Sequence, residues 1–265
     1  LRFDNPITDA ISRVRFASSS DNLLISSWDS FLRLYDVDES QLRLEASNDG
    51  TALLDCCFES DSVALSADSD GSILRYDLYT AEKNAIGKHD DIATCVEYSV
   101  ETSQIITAGW DKKVKLWDPR SATSSSSLIT LPVVAESISL RGFSLMIGLE
   151  TRVQLHDLRY SDESNRPKER TIGAHIKCVR SCSYFEGFTV GSVDGRVSVQ
   201  YPDESGSKNE GYAFRCQPSS KYGKCHLASV NDISFDPSND GVFATGDSDG
   251  YVLVWDTKSR RRVQQ

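Results

Sequence analysis

The sequence predicts an all-β fold of small four-stranded sheets repeated about an axis, and three observations predict it. A short pattern recurs six times, the apolar runs between copies are brief and bounded by Asp, Gly and Ser, and no window sustains a period of 3.6. Each copy is a turn with Asp or Gly, then alternating apolar residues, then an aromatic slot followed in most copies by Asp. The copies are Leu32–Asp36, Ile73–Asp77, Val114–Asp118, Val153–Asp157, Val197–Tyr201 and Val252–Asp256. Counted from the aromatic slot (35, 76, 117, 156, 200, 255), the steps are 41, 41, 39, 44 and 55. The long last step contains two polar stretches, Pro202–Glu210 and Gln217–Gly223, both read as loops. One small twisted sheet cannot bury both of its faces, whereas radial stacking buries them against each other and leaves only short edges.

A step of about 40–45 residues is that of a WD-type β-propeller blade. Six blades are therefore expected, at about 9–46, 51–87, 89–131, 134–172, 176–216 and 229–264. The first and third have second strands that end in Trp28 and Trp110, each just before a turn Asp. The second has Tyr76 in the aromatic slot, the fourth His156, the fifth Gln200 and the sixth Trp255. In the third blade the strands are expected at Ile92–Tyr98, Gln104–Ala108, Val114–Trp117 and Leu128–Leu131. There His89, Thr107, Asp111 and Trp117 have the spacing of a buried hydrogen-bond chain, so His89 reads as structural and not as a base. Leu1–Phe3 is an extra strand before the first blade. Because an open ring would expose two sheet faces, the intact protein is expected to have seven blades, with Leu1–Phe3 closing the last. A natural six-bladed closure is the alternative.

Charge and cysteine usage narrow the function. With 39 acidic against 29 basic residues the net charge is −10, which disfavours general binding to nucleic acid or a bilayer. Seven scattered cysteines (Cys56, Cys57, Cys95, Cys178, Cys182, Cys216, Cys225), mostly in apolar runs, suit a reducing compartment. No apolar stretch approaches the roughly 18 residues of a membrane span, and none opens the chain. Gly87-Lys88-His89 lacks the flanking residues of a P-loop. Cys216, Cys225 and His226 are too loosely spaced to indicate zinc, and Ser121–Ser127 reads as a flexible link. No paired carboxylates or nucleophile–base set converges, so an enzyme is not expected, nor is a cofactor.

Several motifs resemble one family. Ser26-Ser27-Trp28-Asp29, Arg33-Leu34-Tyr35-Asp36-Val37, Val114 to Arg120, Asp194-Gly195-Arg196-Val197, Tyr212 to Cys216 and Phe243-Ala244-Thr245-Gly246 are similar to the spindle-checkpoint WD-repeat proteins, the third member of the Bub group. Their relatives are the Rae-type mRNA export factors; Arg120 and the Arg-Leu-Tyr-Asp run favour the checkpoint family. The resemblance covers nearly the whole chain. It implies a seven-bladed protein-binding scaffold of the spindle assembly checkpoint, nuclear and kinetochore-bound with a cytoplasmic pool. The implied partners are a checkpoint kinase or pseudokinase with an acidic GLEBS motif, and a kinetochore scaffold with phosphothreonine in MELT repeats. Residue by residue, the resemblance assigns Trp28, Trp110, Arg180 and Arg196 to the peptide, and Arg196 and Arg215 to the phosphate. Gln200, Pro202 and the Cys182–Tyr184 stretch depart from the family pattern. The alternative is an export adaptor of the Rae type, binding a nucleoporin's GLEBS segment and RNA.

The residues support a binding face independently. Four places before each aromatic slot stand Phe31, Ser72, Lys113, Arg152, Arg196 and Tyr251, beside the second-to-third-strand turn. Aromatic and Arg side chains dominate binding hot spots, and the planar guanidinium fork suits carboxylate and phosphate.

Overall fold

A computed structural model describes residues 6–120, 127–160, 167–182, 187–201, 211–216, 219–221, 224–226, 228–239 and 241–264, with the side chains of 127, 219–221, 224–226 and 264 left aside. Leu1–Phe3, Pro202–Glu210 and most of Ser121–Ser127 lie outside these residues, so the closing strand expected there is not described. Every regular element among the described residues is a strand. The chain divides into two compact units, residues 1–134 and 135–265.

The first unit holds three antiparallel four-stranded meanders, each the form of a propeller blade. Sheet 1 is β1 (Ile11–Phe16), β2 (Asn22–Ser27), β3 (Phe31–Asp36) and β4 (Gln41–Ser47). Sheet 2 is β5 (Leu53–Ser60), β6 (Val63–Asp68), β7 (Ser72–Asp77) and β8 (Lys83–Lys88). Sheet 3 is β9 (Ala93–Ser99), β10 (Gln104–Gly109), β11 (Lys113–Trp117) and β12 (Ser127–Thr130). In the second unit, sheet 4 is β13 (Ser137–Arg141), β14 (Ser144–Leu149), β15 (Arg152–Asp157) and β16 (Lys168–Thr171). Sheet 5 is β17 (Ile176–Ser181), β18 (Phe188–Ser192), β19 (Arg196–Gln200) and β20 (Tyr212–Arg215). A short hairpin follows, β21 (Ser219–Lys221) with β22 (Lys224–His226), overlapping the expected loop Gln217–Gly223. Sheet 6 is β23 (Val230–Phe235), β24 (Val242–Asp247), β25 (Val252–Asp256) and β26 (Arg261–Gln264).

Sequential sheets within a unit pack face to face. Leu24, Leu32 and Leu34 of sheet 1 meet Leu53, Cys56, Ala64 and Tyr76 of sheet 2. Sheet 2 turns Cys57, Leu65 and Ile73 towards Val96, Ile105 and Trp117 of sheet 3. Sheets 5 and 6 share Cys178, Val197, Ile233, Phe243 and Trp255. Cys56, Cys57, Cys95, Cys178, Cys182 and Cys216 are buried; burial pushes the Cys56 thiol up to about 12. They pack as small apolar residues.

The sequence signature has a mechanical meaning. The Asp after the aromatic slot caps the turn from third to fourth strand: Asp36, Asp77, Asp118, Asp157 and Asp256 accept a backbone N–H from Glu39, Tyr79, Arg120, Arg159 and Lys258 at 2.8–3.0 Å. The turn from second to third strand needs a left-handed residue in every sheet. That residue is Ser30, Gly71, Lys112, Glu150, Gly195 or Gly250, with φ between 38° and 90°. Gly71 is also squeezed, since a Cβ there would stand 2.6 Å from the Asp91 carbonyl oxygen.

Sheet 3 contains the hydrogen-bond chain anticipated from spacing. His89 Nδ1 lies 3.0 Å from both Asp111 oxygens, its Nε2 lies 2.7 Å from Thr107 Oγ1, and Trp117 Nε1 donates to that hydroxyl at 2.8 Å. Burial lowers the His89 pKa against the pull of Asp111, so the ring is neutral, donating to Asp111 and accepting from Thr107. Sheet 2 rebuilds the same place with other residues. Asn48 Nδ2 and Ser66 Oγ donate to the buried Asp68 carboxylate at 2.8 and 2.7 Å, beside Tyr76.

Candidate functional site

One backbone contact identifies equivalent turn positions. The residue that follows the second strand donates its N–H to the carbonyl just before the first strand. Trp28 does so to Ala10, Ser69 to Ala52 and Trp110 to Ile92, at 2.8–2.9 Å; Val193 does so to His175 and Ser248 to Ser229, each at 2.9 Å. Trp28 and Trp110 therefore occupy the same place in two sheets of the first unit, and they leave 54% and 52% of their surface exposed. The other two Trp residues, Trp117 and Trp255, are buried. The sequence reading passed over Val193, which fills this place in sheet 5 and is 46% exposed. Its signal was available: like Trp28 and Trp110, it immediately precedes the turn Asp.

Both indoles sit on pinned turns. Asp29, next to Trp28, binds Arg33 Nη1 at 2.8 Å, and Arg33 Nε reaches Glu45 at 2.7 Å while its guanidinium lies 5.0 Å from the Phe31 ring centroid. Asp111, next to Trp110, is the carboxylate of the His89 chain. Lys113 closes on Asp90 at 2.5 Å. A rigid turn holds an exposed aromatic in place before any partner arrives, which reduces the entropy lost on binding.

The second unit holds the three arginines. Arg196 and Arg215 are directly opposed across β19 and β20, and both are exposed. Like charges facing each other on a ladder destabilise it, and an anion between them relieves the repulsion. Arg196 Nε is drawn 3.0 Å from Asp194, which also accepts from Ser192 Oγ at 2.6 Å; among the described residues Arg215 has no acidic partner. Arg180 differs. It lies on β17, only 8% exposed, with Nη1 donating to Ser137 Oγ at 3.1 Å and the Val179 carbonyl at 2.7 Å, and Nη2 2.5 Å from Asp232. Two strands separate Arg180's strand from that of Arg215, so these two guanidinium groups do not share a ladder pair.

Among the described residues no three His, Cys, Asp or Glu side chains gather. The side chains of Cys225 and His226 lie outside the described set.

Comparison with known proteins places these features in a family. A family model described as WD domain, G-beta repeat matches residues 82–118 and 217–256. The chain is 43% identical over 265 residues to mitotic checkpoint protein BUB3.3 of Arabidopsis thaliana, covering 100% of this chain and 84% of that protein. It is 26% identical over 277 residues to mRNA export factor GLE2 of Chaetomium thermophilum, covering 100% of this chain and 76% of that protein. A chain in a crystal structure of a mitotic checkpoint complex has the same fold, with a TM-score of 0.78 at 14% identity over 98% of this chain and 77% of that one. The six meanders are thus the blades of a WD-repeat β-propeller.

Proposed function

Because the chain belongs to the mitotic checkpoint BUB3 family of WD-repeat proteins, we propose that it is a non-enzymatic scaffold of the spindle assembly checkpoint, holding a GLEBS-type acidic peptide of a checkpoint kinase or pseudokinase. Trp28, Trp110, Arg180 and Arg196 contact the peptide in this reading. Arg196 and Arg215 take a phosphothreonine of a MELT repeat on a kinetochore scaffold. The protein works in the nucleus and at kinetochores, with a cytoplasmic pool. The checkpoint assignment rests on 43% identity, over 84% of its length, to a checkpoint protein. The observation that carries the binding site is the pair of half-exposed indoles at one equivalent turn position.

Calorimetric titration with a GLEBS-type peptide tests the first part. Trp28→Ala with Trp110→Ala is expected to weaken binding at least about a hundredfold, since buried aromatic anchors are each worth about 2 kcal/mol or more. For the phosphate, a MELT peptide is compared with its phosphorylated form; Arg196→Ala with Arg215→Ala is expected to erase the preference. Equal affinity of the unsubstituted protein for both forms would remove the phosphate assignment. The more distant likeness to export factors supports a second reading, an adaptor binding a nucleoporin segment. Co-purification from dividing cells separates the two, kinases on one side and a nucleoporin on the other.

A further inference from the structure

Arg180 is already engaged before any peptide arrives. One arm of its guanidinium, Nη1, is spent on the fold through Ser137 Oγ and the Val179 carbonyl. The other arm, Nη2, is held at 2.5 Å by Asp232 of β23, on the neighbouring sheet of the same unit. The two partners differ in burial. The Arg180 side chain is 10% exposed and that of Asp232 is 49% exposed.

We infer that Asp232 is a built-in competitor for the acidic peptide, occupying the place on Arg180 that a ligand glutamate takes. This inference rests on the peptide-binding reading above. A buried guanidinium stripped of its carboxylate is left poorly hydrated, which is costly, so it releases one carboxylate readily only in exchange for another. The half-exposed acid is the partner that can leave, because water rehydrates it, whereas Arg180 is tethered by Ser137 and Val179. Asp232 is also poised locally, its Oδ1 accepting the Ile233 N–H at 2.8 Å. The consequence is selectivity: a weakly acidic segment meets an arginine that is already satisfied. A ligand with closely spaced carboxylates, anchored elsewhere by its apolar residues, displaces Asp232.

The test titrates the full chain with a GLEBS-type peptide carrying adjacent glutamates, using the unsubstituted protein, Asp232→Asn and Asp232→Glu. Asp232→Asn keeps the shape and removes the competing charge; it is expected to bind about 5–10-fold tighter, a little below the weakest coupling measured for close charge pairs at interfaces, roughly 12-fold. It is also expected to show a larger melting-temperature rise on adding peptide. Asp232→Glu keeps the charge and is expected to stay within about twofold of the unsubstituted protein. A peptide with glutamine at both acidic positions is expected to gain nothing from Asp232→Asn. Where the Asn variant melts too early to titrate, Asp232→Ser replaces it with the same expected gain. Unchanged or weaker binding by a folded charge-removing variant overturns the inference while leaving the peptide site standing. No binding by the unsubstituted protein overturns both.

Discussion

At the scale of single residues, the six left-handed turn positions show how one backbone demand is met by different side chains. Gly71, Gly195 and Gly250 meet it without strain, while Ser30, Lys112 and Glu150 hold a conformation that a Cβ disfavours by about 1 kcal/mol. Lys112 is exposed and its neighbour Lys113, not Lys112 itself, makes the ion pair with Asp90. Lys112→Gly is therefore expected to stabilise the protein by about 0.5 kcal/mol, the released strain less the added freedom of the unfolded chain. A thermal melt reads it as a rise of about 1–2 °C. A fall would show that Lys112 makes a contact the backbone argument leaves out. The same turn governs the site, because Trp28 and Trp110 stand two residues before Ser30 and Lys112.

At the scale of elements, strands and sheets are held by a few residues whose partners come from other strands. Gly87 lies inside β8, where glycine ordinarily weakens a strand. Its reason is Trp117 on the next sheet: a Cβ on Gly87 would stand 2.1 Å from Cζ3 of that ring. The ring cannot swing aside, since its Nε1 is tied to Thr107 at 2.8 Å and the side chain is buried. Gly87→Ala is expected to destabilise by about 1–3 kcal/mol through overpacking. Denaturant titration followed by Trp fluorescence reads both the loss and the altered indole environment. An unchanged midpoint would mean that sheets 2 and 3 can separate by an ångström at little cost. Serine and acid side chains brace the first strands of neighbouring sheets: Asp55 accepts the Val96 N–H at 3.0 Å, and Ser137 accepts that of Val179 at 3.2 Å.

At the scale of the whole molecule, stability carries a pH signature to which the buried acid Asp68 contributes. Asp68 has no exposed surface, and burial raises its pKa to about 7 in spite of the hydrogen bonds from Ser66 and Asn48. The folded chain thus keeps a proton that the unfolded chain gives up near pH 4. This contribution is complete below about pH 4 and is lost as pH rises through about 7, amounting to roughly 4 kcal/mol at most. Asp68→Asn is expected to flatten the decline between pH 5 and 8 and to melt higher than the unsubstituted protein at pH 8. Melting temperatures across that range check it; parallel curves for the two proteins would show that Asp68 stays ionised throughout. The net charge of −10 acts on the same scale. It repels an acidic partner at a distance, so attraction must come from the few local arginines at short range.

The repeat of about 40–45 residues, the alternation within short runs and the punctuating Asp and Gly were enough to specify six four-stranded blades, because those signals are local. The His89–Thr107–Asp111–Trp117 chain was legible for the same reason, all four residues lying within one repeat. Trp28 and Trp110 stand out in the sequence by their place beside a turn Asp, but that they are half-exposed there is a finding of the structure. What pattern could not reveal was pairing across sheets. Asp232 stands 52 residues beyond Arg180 and shares no motif with it, yet the packing of β23 beside β17 brings their charges to 2.5 Å. Asp68, Asn48 and Ser66 look like ordinary polar residues until the close approach of sheets 1 and 2 buries them. Side-chain type and local spacing decide which strands form; which charges meet, and which are cut off from water, is decided only when one sheet is laid against the next.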